Sequence, residues 1–177
     1  MTELEYCVLG IVWQSGPITA YEVAKPFAAS PSSYWSGSAG AIYPLVRRLE
    51  EKGLIRGKAA QWNSRKKRVL TITEQGLAAL REWLAPPFPD SAGAASFDPI
   101  RTRLVFLNAL PPKSRARFFD DAERVVREQL AALQSLHARE REGGSQLDAL
   151  STRGAMHELE ARLAWLAEVR QELVGDA

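Results

Sequence analysis

Ser38-Ala-Gly-Ala-Ile-Tyr-Pro-Leu-Val-Arg-Arg-Leu-Glu-Glu-Lys-Gly-Leu-Ile55 is the stretch that decides how this chain is read. Ile42, Leu45, Val46 and Leu49 recur at i, i+3, i+4 and i+7, the spacing of one apolar stripe on a helix. Tyr43, Arg47 and Arg48 project from other faces, with Arg47 one turn beyond Tyr43. Pro44 has no N–H to give, so it fits only in a first turn, which places the helix start near Ala39 to Ala41. Gly53 supplies a left-handed stop, and Leu54-Ile55 leave it as a strand. A short helix that buries one face, carries cations on another and runs straight into a strand reads as a recognition helix built to lie in a DNA groove.

The charge distribution points the same way. The 177 residues carry a formal net charge of only +2, yet residues 38–72 hold nine Lys or Arg against Glu50 and Glu51, a local balance of +7. Residues 1–37 balance to −2 and residues 73–177 to −3. A basic middle between mildly acidic ends is the electrostatic footprint of a polyanion-binding module. The single cysteine, Cys7, excludes an intrachain disulfide framework and a Cys-rich zinc site, and reads as a small buried hydrophobe. The longest apolar run, Tyr6 to Trp13, is far shorter than the roughly 18–20 residues of a membrane span. Thr2-Glu3 lacks the basic start of a signal peptide, so a soluble, cytoplasmic protein is expected.

Upstream of the reader, Thr2-x-x-Glu5 and Thr19-x-x-Glu22 are capping boxes, each opening a short helix. The first carries Leu4, Val8 and Ile11 in register and ends at Gly16-Pro17; Trp13 is assigned to the core. The second runs through Tyr21, Val23 and Phe27, with Pro26 expected to shorten or kink it. Residues 30–38 form the loop that delivers the chain to the third helix. Downstream, residues 54–59 and 67–72 are two short strand candidates, with Leu70 and Ile72 inward and Val69 and Thr71 outward. Between them residues 61–68 form a basic tip. Thr73 then caps a helix holding Leu77, Leu80, Trp83 and Leu84. Two helices, a loop, a reader helix and a basic hairpin make a winged helix-turn-helix.

Gly40 to Ile55, preceded by Tyr21-Glu22-Val23 and followed by Arg68-Val-Leu-Thr-Ile-Thr-Glu-Gln-Gly76, resembles the PadR family of bacterial transcriptional regulators over about half of the chain. Thr19-Ala20 departs from the family's usual His-Gly, and Leu70 stands where an aromatic is common; neither falls in the basic cluster. The resemblance implies a dimeric winged-helix repressor of the kind that many members release from DNA on binding a small aromatic or drug-like effector.

Residues 86–97, rich in Pro, Ala, Ser and Gly, read as a linker between a winged-helix domain at 1–85 and an all-α dimerisation domain at 98–177. In the latter, Asp98-Pro99 opens a helix containing Ile100, Leu104, Val105 and Leu107. A long helix follows from Lys113 to about Glu142, with Phe118, Ala122, Val125, Val126, Leu130, Leu133 and Leu136 at helical spacing and Gly143-Gly144 as its stop. The last helix places Met156, Leu159, Leu163, Leu166 and Leu173 at a and d positions, with Arg170 breaking the series. This half resembles the family's dimerisation domain around Glu160 to Leu166, which makes Leu159, Leu163, Trp165, Leu166 and Leu173 the interface candidates and Trp165 a candidate wall of an effector pocket. A dimer also follows from function, because two-fold symmetry matches a palindromic operator.

The DNA-contact candidates are Ser38, Tyr43, Arg47, Arg48, Lys58, Arg65, Lys66, Lys67 and Arg68, joined by Tyr21. Arg on a reader helix suits bidentate contact with guanine, and wing cations suit phosphate or the minor groove. Three alternatives stay open: Arg48 could pair with Glu51 at i+3, Tyr21 could pack its own helix, and Lys58 could solubilise a strand edge. His137 and His157 read as helix-surface histidines, and no motif for a metal, a cofactor or a catalytic nucleophile stands in the chain. A winged helix can also serve as a protein adaptor or a non-specific DNA binder; the +7 cluster is what an adaptor would not need.

Overall fold

The computed structural model describes residues 1–31, 39–62 and 65–174, with their side chains except at 39, 61, 62, 65, 66 and 174. Two compact units emerge, Met1–Ala94 and Ala95–Ala177.

In the first unit, helices α1 (Glu3–Ser15) and α2 (Ala20–Ala29) open on the two capping boxes. Thr2 Oγ1 accepts the Glu5 N–H at 3.2 Å while Glu5 accepts the Thr2 N–H at 2.8 Å, and Thr19 and Glu22 repeat the exchange at 3.2 and 2.9 Å. α2 continues past Pro26 to Ala29. A 3-10 turn, Ala39–Ala41, leads into the reader helix α3 (Ile42–Glu51), so Pro44 falls in the first turn, where a missing N–H breaks no helical bond. Gly53, at φ 71°, reverses the chain, and the N–H groups of Gly53 and Leu54 return to Glu50 O and Leu49 O at 2.9 Å each.

Strands β1 (Ile55–Trp62) and β2 (Arg65–Ile72) pair antiparallel from Ile55↔Ile72 to Trp62↔Arg65. Both are longer than the short strands expected at 54–59 and 67–72. The ladder carries on through the polar stretch because pairing runs through backbone N–H and C=O groups, which a polar sequence supplies as well as an apolar one. Lys67 and Arg68 stand in β2 as the strand candidate at 67–72 has them, and Arg65 and Lys66, expected only in the tip between the strands, join them. Ile18 adds a single antiparallel bridge on the other side of β2, its N–H bonding to Leu70 O at 3.1 Å and its carbonyl accepting from Leu70 N–H at 2.8 Å. Helix α4 (Glu74–Leu84) follows, with Thr73 Oγ1 accepting the Gly76 N–H at 3.0 Å.

The core of this unit gathers Val8, Leu9 and Val12 from α1, Val23 and Phe27 from α2, and the whole Ile42, Leu45, Val46, Leu49 stripe of α3. Leu54, Ile55, Leu70 and Leu80 close it. Trp13 is not part of it: the indole is 55% exposed, because the buried face of α1 runs through Glu5, Val8, Leu9 and Val12 and residue 13 lies about 100° further round. Tyr6 and Trp83 stack at 4.9 Å between α1 and α4.

In the second unit, α5 is shorter than expected, Pro99–Leu104, because Phe106 leaves the helical region at φ −107°, ψ 14°. A 3-10 turn, Leu107–Ala109, takes over, burying Leu107 and leaving Val105 75% exposed. Asp98 is buried at the start of α5, its Oδ1 accepting the Ile100 and Arg101 N–H groups at 2.8 and 3.2 Å and its Oδ2 meeting Arg162 Nε at 2.9 Å. Helices α6 (Pro112–Glu142) and α7 (Gln146–Val174) form an antiparallel hairpin around Gly144 at φ 82°. His137 Nδ1 lies 2.9 Å from Ala149 O near the turn, and Arg170 meets Asp120 and Glu123 at 2.8 and 3.3 Å toward the other end.

The buried face of α6 is Phe119, Ala122, Val126 and Leu133, narrower than the stripe expected from Phe118 onward; Phe118 is half-buried and Val125 is 39% exposed. One partner helix covers only an a/d-like seam, so flanking apolar positions stay open. No helix among the described residues is long and apolar enough to cross a membrane.

Candidate nucleic-acid interface

The reader helix turns its four apolar residues into the core, which leaves Tyr43 (52% exposed) and Arg47 on its outward side. Arg47 Nε pairs with Glu51 Oε1 at 3.1 Å, an i,i+4 contact between two well-exposed side chains. Such a pair contributes only about 0.3–0.5 kcal/mol, so a competing anion displaces it readily.

Arg48 has a partner other than Glu51, the open alternative at i+3. Its Nη1 lies 3.5 Å from Glu5 Oε1, and Lys52 Nζ reaches the same oxygen at 3.2 Å. Glu5 is a charged residue on the buried face of α1, and its side chain is only 3% exposed. Burial alone would raise its carboxyl pKa, but the Thr2 backbone N–H, the Lys52 hydrogen bond and charge, and the Arg48 charge together hold it below the ordinary value of 4.5. Arg48 and Lys52 thus share one buried carboxylate.

Register sorts the wing cations. Pairing of Arg56 with Thr71 and of Lys58 with Val69 puts Arg56, Lys58, Lys67, Val69 and Thr71 on one face, where the three cations are exposed. Arg68 lies on the other face with Gly57 and Leu70, and its Nη2 meets Glu50 Oε1 at 2.6 Å. Arg65 and Lys66 belong to β2, but their side chains, like the whole of Ser38, lie outside the described residues.

Tyr21 is 63% exposed, with Lys25 Nζ 5.1 Å above its ring, so it does not pack into the buried face of α2. Glu22, one residue on, is held below 4.5 by the Thr19 backbone N–H and hydroxyl, with smaller help from the charges of Lys67 and Lys25. The start of α2 and the second wing strand are therefore electrostatic neighbours. Lys25 and Arg56 add to these exposed cationic surfaces without having been singled out in the sequence; the i,i+4 spacing of Lys25 to Tyr21 and the period-2 face that Arg56 shares with Lys58 are the signals that mark them.

In the second unit Leu166 is fully buried in a cluster with Phe119, Ala122 and Val126, so its burial is already complete within one protomer. Leu159, Leu163 and Trp165 pack half-buried at the edge of that cluster, and Leu173 is 51% exposed.

Three helices, the third bearing exposed cations, then a hairpin and a fourth helix, define a winged helix-turn-helix regulator, followed by a helical second unit. Residues 8–82 match the transcriptional regulator PadR-like family and residues 98–174 the virulence activator alpha C-terminal family. The first unit belongs to the PadR-like family of transcriptional regulators. The negative transcriptional regulator PadR of Bacillus subtilis is 25% identical over 137 residues, spanning 76% of this chain and 72% of that protein. Bacillus subtilis PadR in complex with operator DNA superposes with a TM-score of 0.80 at 20% identity, covering 97% of this chain and 99% of that one. The same protein with p-coumaric acid gives 0.76 at 21% identity, covering 98% and 96%.

Proposed function

We propose that this regulator is a homodimeric repressor in the cytoplasm that reads a palindromic operator and leaves it when a small aromatic acid binds. The observation that carries the reading is the pair of exposed cationic surfaces in the first unit: Tyr43 and Arg47 on the reader helix, and Arg56, Lys58 and Lys67 on one face of the wing. The reader would take base edges in the major groove, and the wing face would take phosphate or the minor groove. Operator DNA and p-coumaric acid are the two ligands of the similar Bacillus subtilis protein.

Dimerisation falls to the second unit, roughly residues 98–177, which exposes Val105, Phe106 and Leu173 at 75, 69 and 51%. Apolar side chains this open are those a second copy would cover. Trp165 is the aromatic surface assigned to the effector.

Fluorescence anisotropy with a labelled fragment from upstream of the protein's own gene, against a shuffled competitor at two salt concentrations, tests the DNA reading. Tight, salt-sensitive binding that the shuffled DNA does not displace is expected. Addition of p-coumaric acid to that complex should lower the anisotropy, and the same titration followed by tryptophan emission should change in wild type and not in Trp165→Phe.

A further inference from the structure

Glu50 sits in the last turn of the reader helix with its side chain 22% exposed. Its Oε1 instead accepts two donors from the hairpin: the Gly57 N–H of β1 at 2.8 Å and Arg68 Nη2 of β2 at 2.6 Å. Gly57 and Arg68 are not cross-strand partners; Gly57 faces Leu70 and Arg68 faces Ala59, so one oxygen ties the two strands diagonally. A Cβ on Gly57 would fall 2.5 Å from Glu50 Oε1 and nearer still to Arg68 Nε, so any larger residue here has to push these two side-chain ends aside.

We infer that Glu50 is a positioning residue for DNA recognition, clamping the wing to the reader helix through Gly57 and Arg68 so that both strike the duplex in one register. The inference rests on the DNA-binding reading above. It also gives Arg68 a role distinct from that of its neighbour Lys67. Charge-assisted bonds of this kind are stronger than neutral ones and fix direction as well as distance. A wing free to pivot would still meet phosphate anywhere along the backbone, but it would no longer be held where the reader's base contacts need it. The clamp therefore acts on discrimination more than on affinity for DNA in general.

The test uses the full-length protein and a duplex selected by the wild type from a random library, with unselected duplex as reference. Glu50→Ala should lower affinity for the selected duplex about tenfold and leave unselected DNA unchanged or bound more tightly. The freed Arg68 should steepen the salt dependence by about one unit in log–log slope, and adding Arg68→Ala should remove that increment. Glu50→Gln keeps an acceptor for Gly57 and should recover part of the discrimination; Gly57→Ala, which wedges the clamp apart, should mimic Glu50→Ala. Hydrogen exchange without DNA should speed up across β1 and β2 in Glu50→Ala while α1 stays protected. Parallel losses on both duplexes, or unchanged exchange in the hairpin, would overturn the clamp. If the wild type selects no duplex at all while the hairpin exchange still responds to Glu50→Ala, the DNA reading has failed and the positioning role with it, leaving a purely structural contact.

Discussion

Glu5 and Lys52 lie 47 residues apart in sequence and 3.2 Å apart in the fold, joining the first turn of α1 to the residue that ends the reader helix. Because Glu5 also takes Arg48 and the Thr2 N–H, one buried carboxylate caps its own helix and anchors another. Glu5→Gln should cost roughly 1.5–3 kcal/mol at neutral pH, the range for hydrogen bonds to charged groups. The carboxyl sits below its ordinary 4.5, so its contribution is present above that value and disappears as pH falls through the depressed one. Thermal melts from pH 7 to pH 3 should show the wild-type advantage over Glu5→Gln shrinking below about pH 4.5. A difference that stays constant across that range would rule the ionised pair out.

Arg47 is the residue assigned to base reading, and its bond to Glu51 is too exposed to matter for folding. Arg47→Ala should move stability by no more than about 0.5 kcal/mol. On operator DNA it should cost about 1–3 kcal/mol and relax preference at one base position. Competition against random DNA decides the point: equal losses on both would make Arg47 a phosphate contact.

How much of this was legible in the sequence depends on the range of the interaction. The reader's buried stripe, both capping boxes, the stop at Gly53 and the Thr73 cap are local, since each is written within one or two turns, and all stand as read. The partners of Arg48 and Arg68 were not legible. Helical spacing offers Glu51 to Arg48, but α1 lays Glu5 against it across 43 residues, and nothing local says that Glu50 will turn to the hairpin. Trp13 misled for a related reason, since a residue on the flank of an apolar stripe is buried only if a neighbouring element covers that flank. In the second unit, spacing alone marked a broad face on α6, whereas its long partner α7 covers a seam.

Lys58 and Lys67 share the exposed wing face, with neither side chain in an ion pair among the described residues. Replacing both with Ala should weaken binding to all sequences alike and reduce the magnitude of the salt slope by about one for each phosphate that these lysines neutralise. Isotherms at several salt concentrations on operator and random duplex give both quantities. A loss confined to the operator would place these lysines on bases instead.

Leu166 and Phe106 separate folding of the second unit from its association. Leu166 is fully buried, so Leu166→Ala leaves a cavity beside Phe119 and should cost about 2–5 kcal/mol. Phe106 is 69% exposed, so Phe106→Ser removes little from the protomer itself. If that ring lies in the dimer interface, the wild-type melting temperature rises with protein concentration, because association draws on the folded state alone. Leu166→Ala should then melt lower while keeping the concentration dependence, and Phe106→Ser should lose the dependence and sediment as a monomer. A Phe106→Ser protein that still sediments as a dimer would move the interface elsewhere, with Leu173 the next side chain to replace.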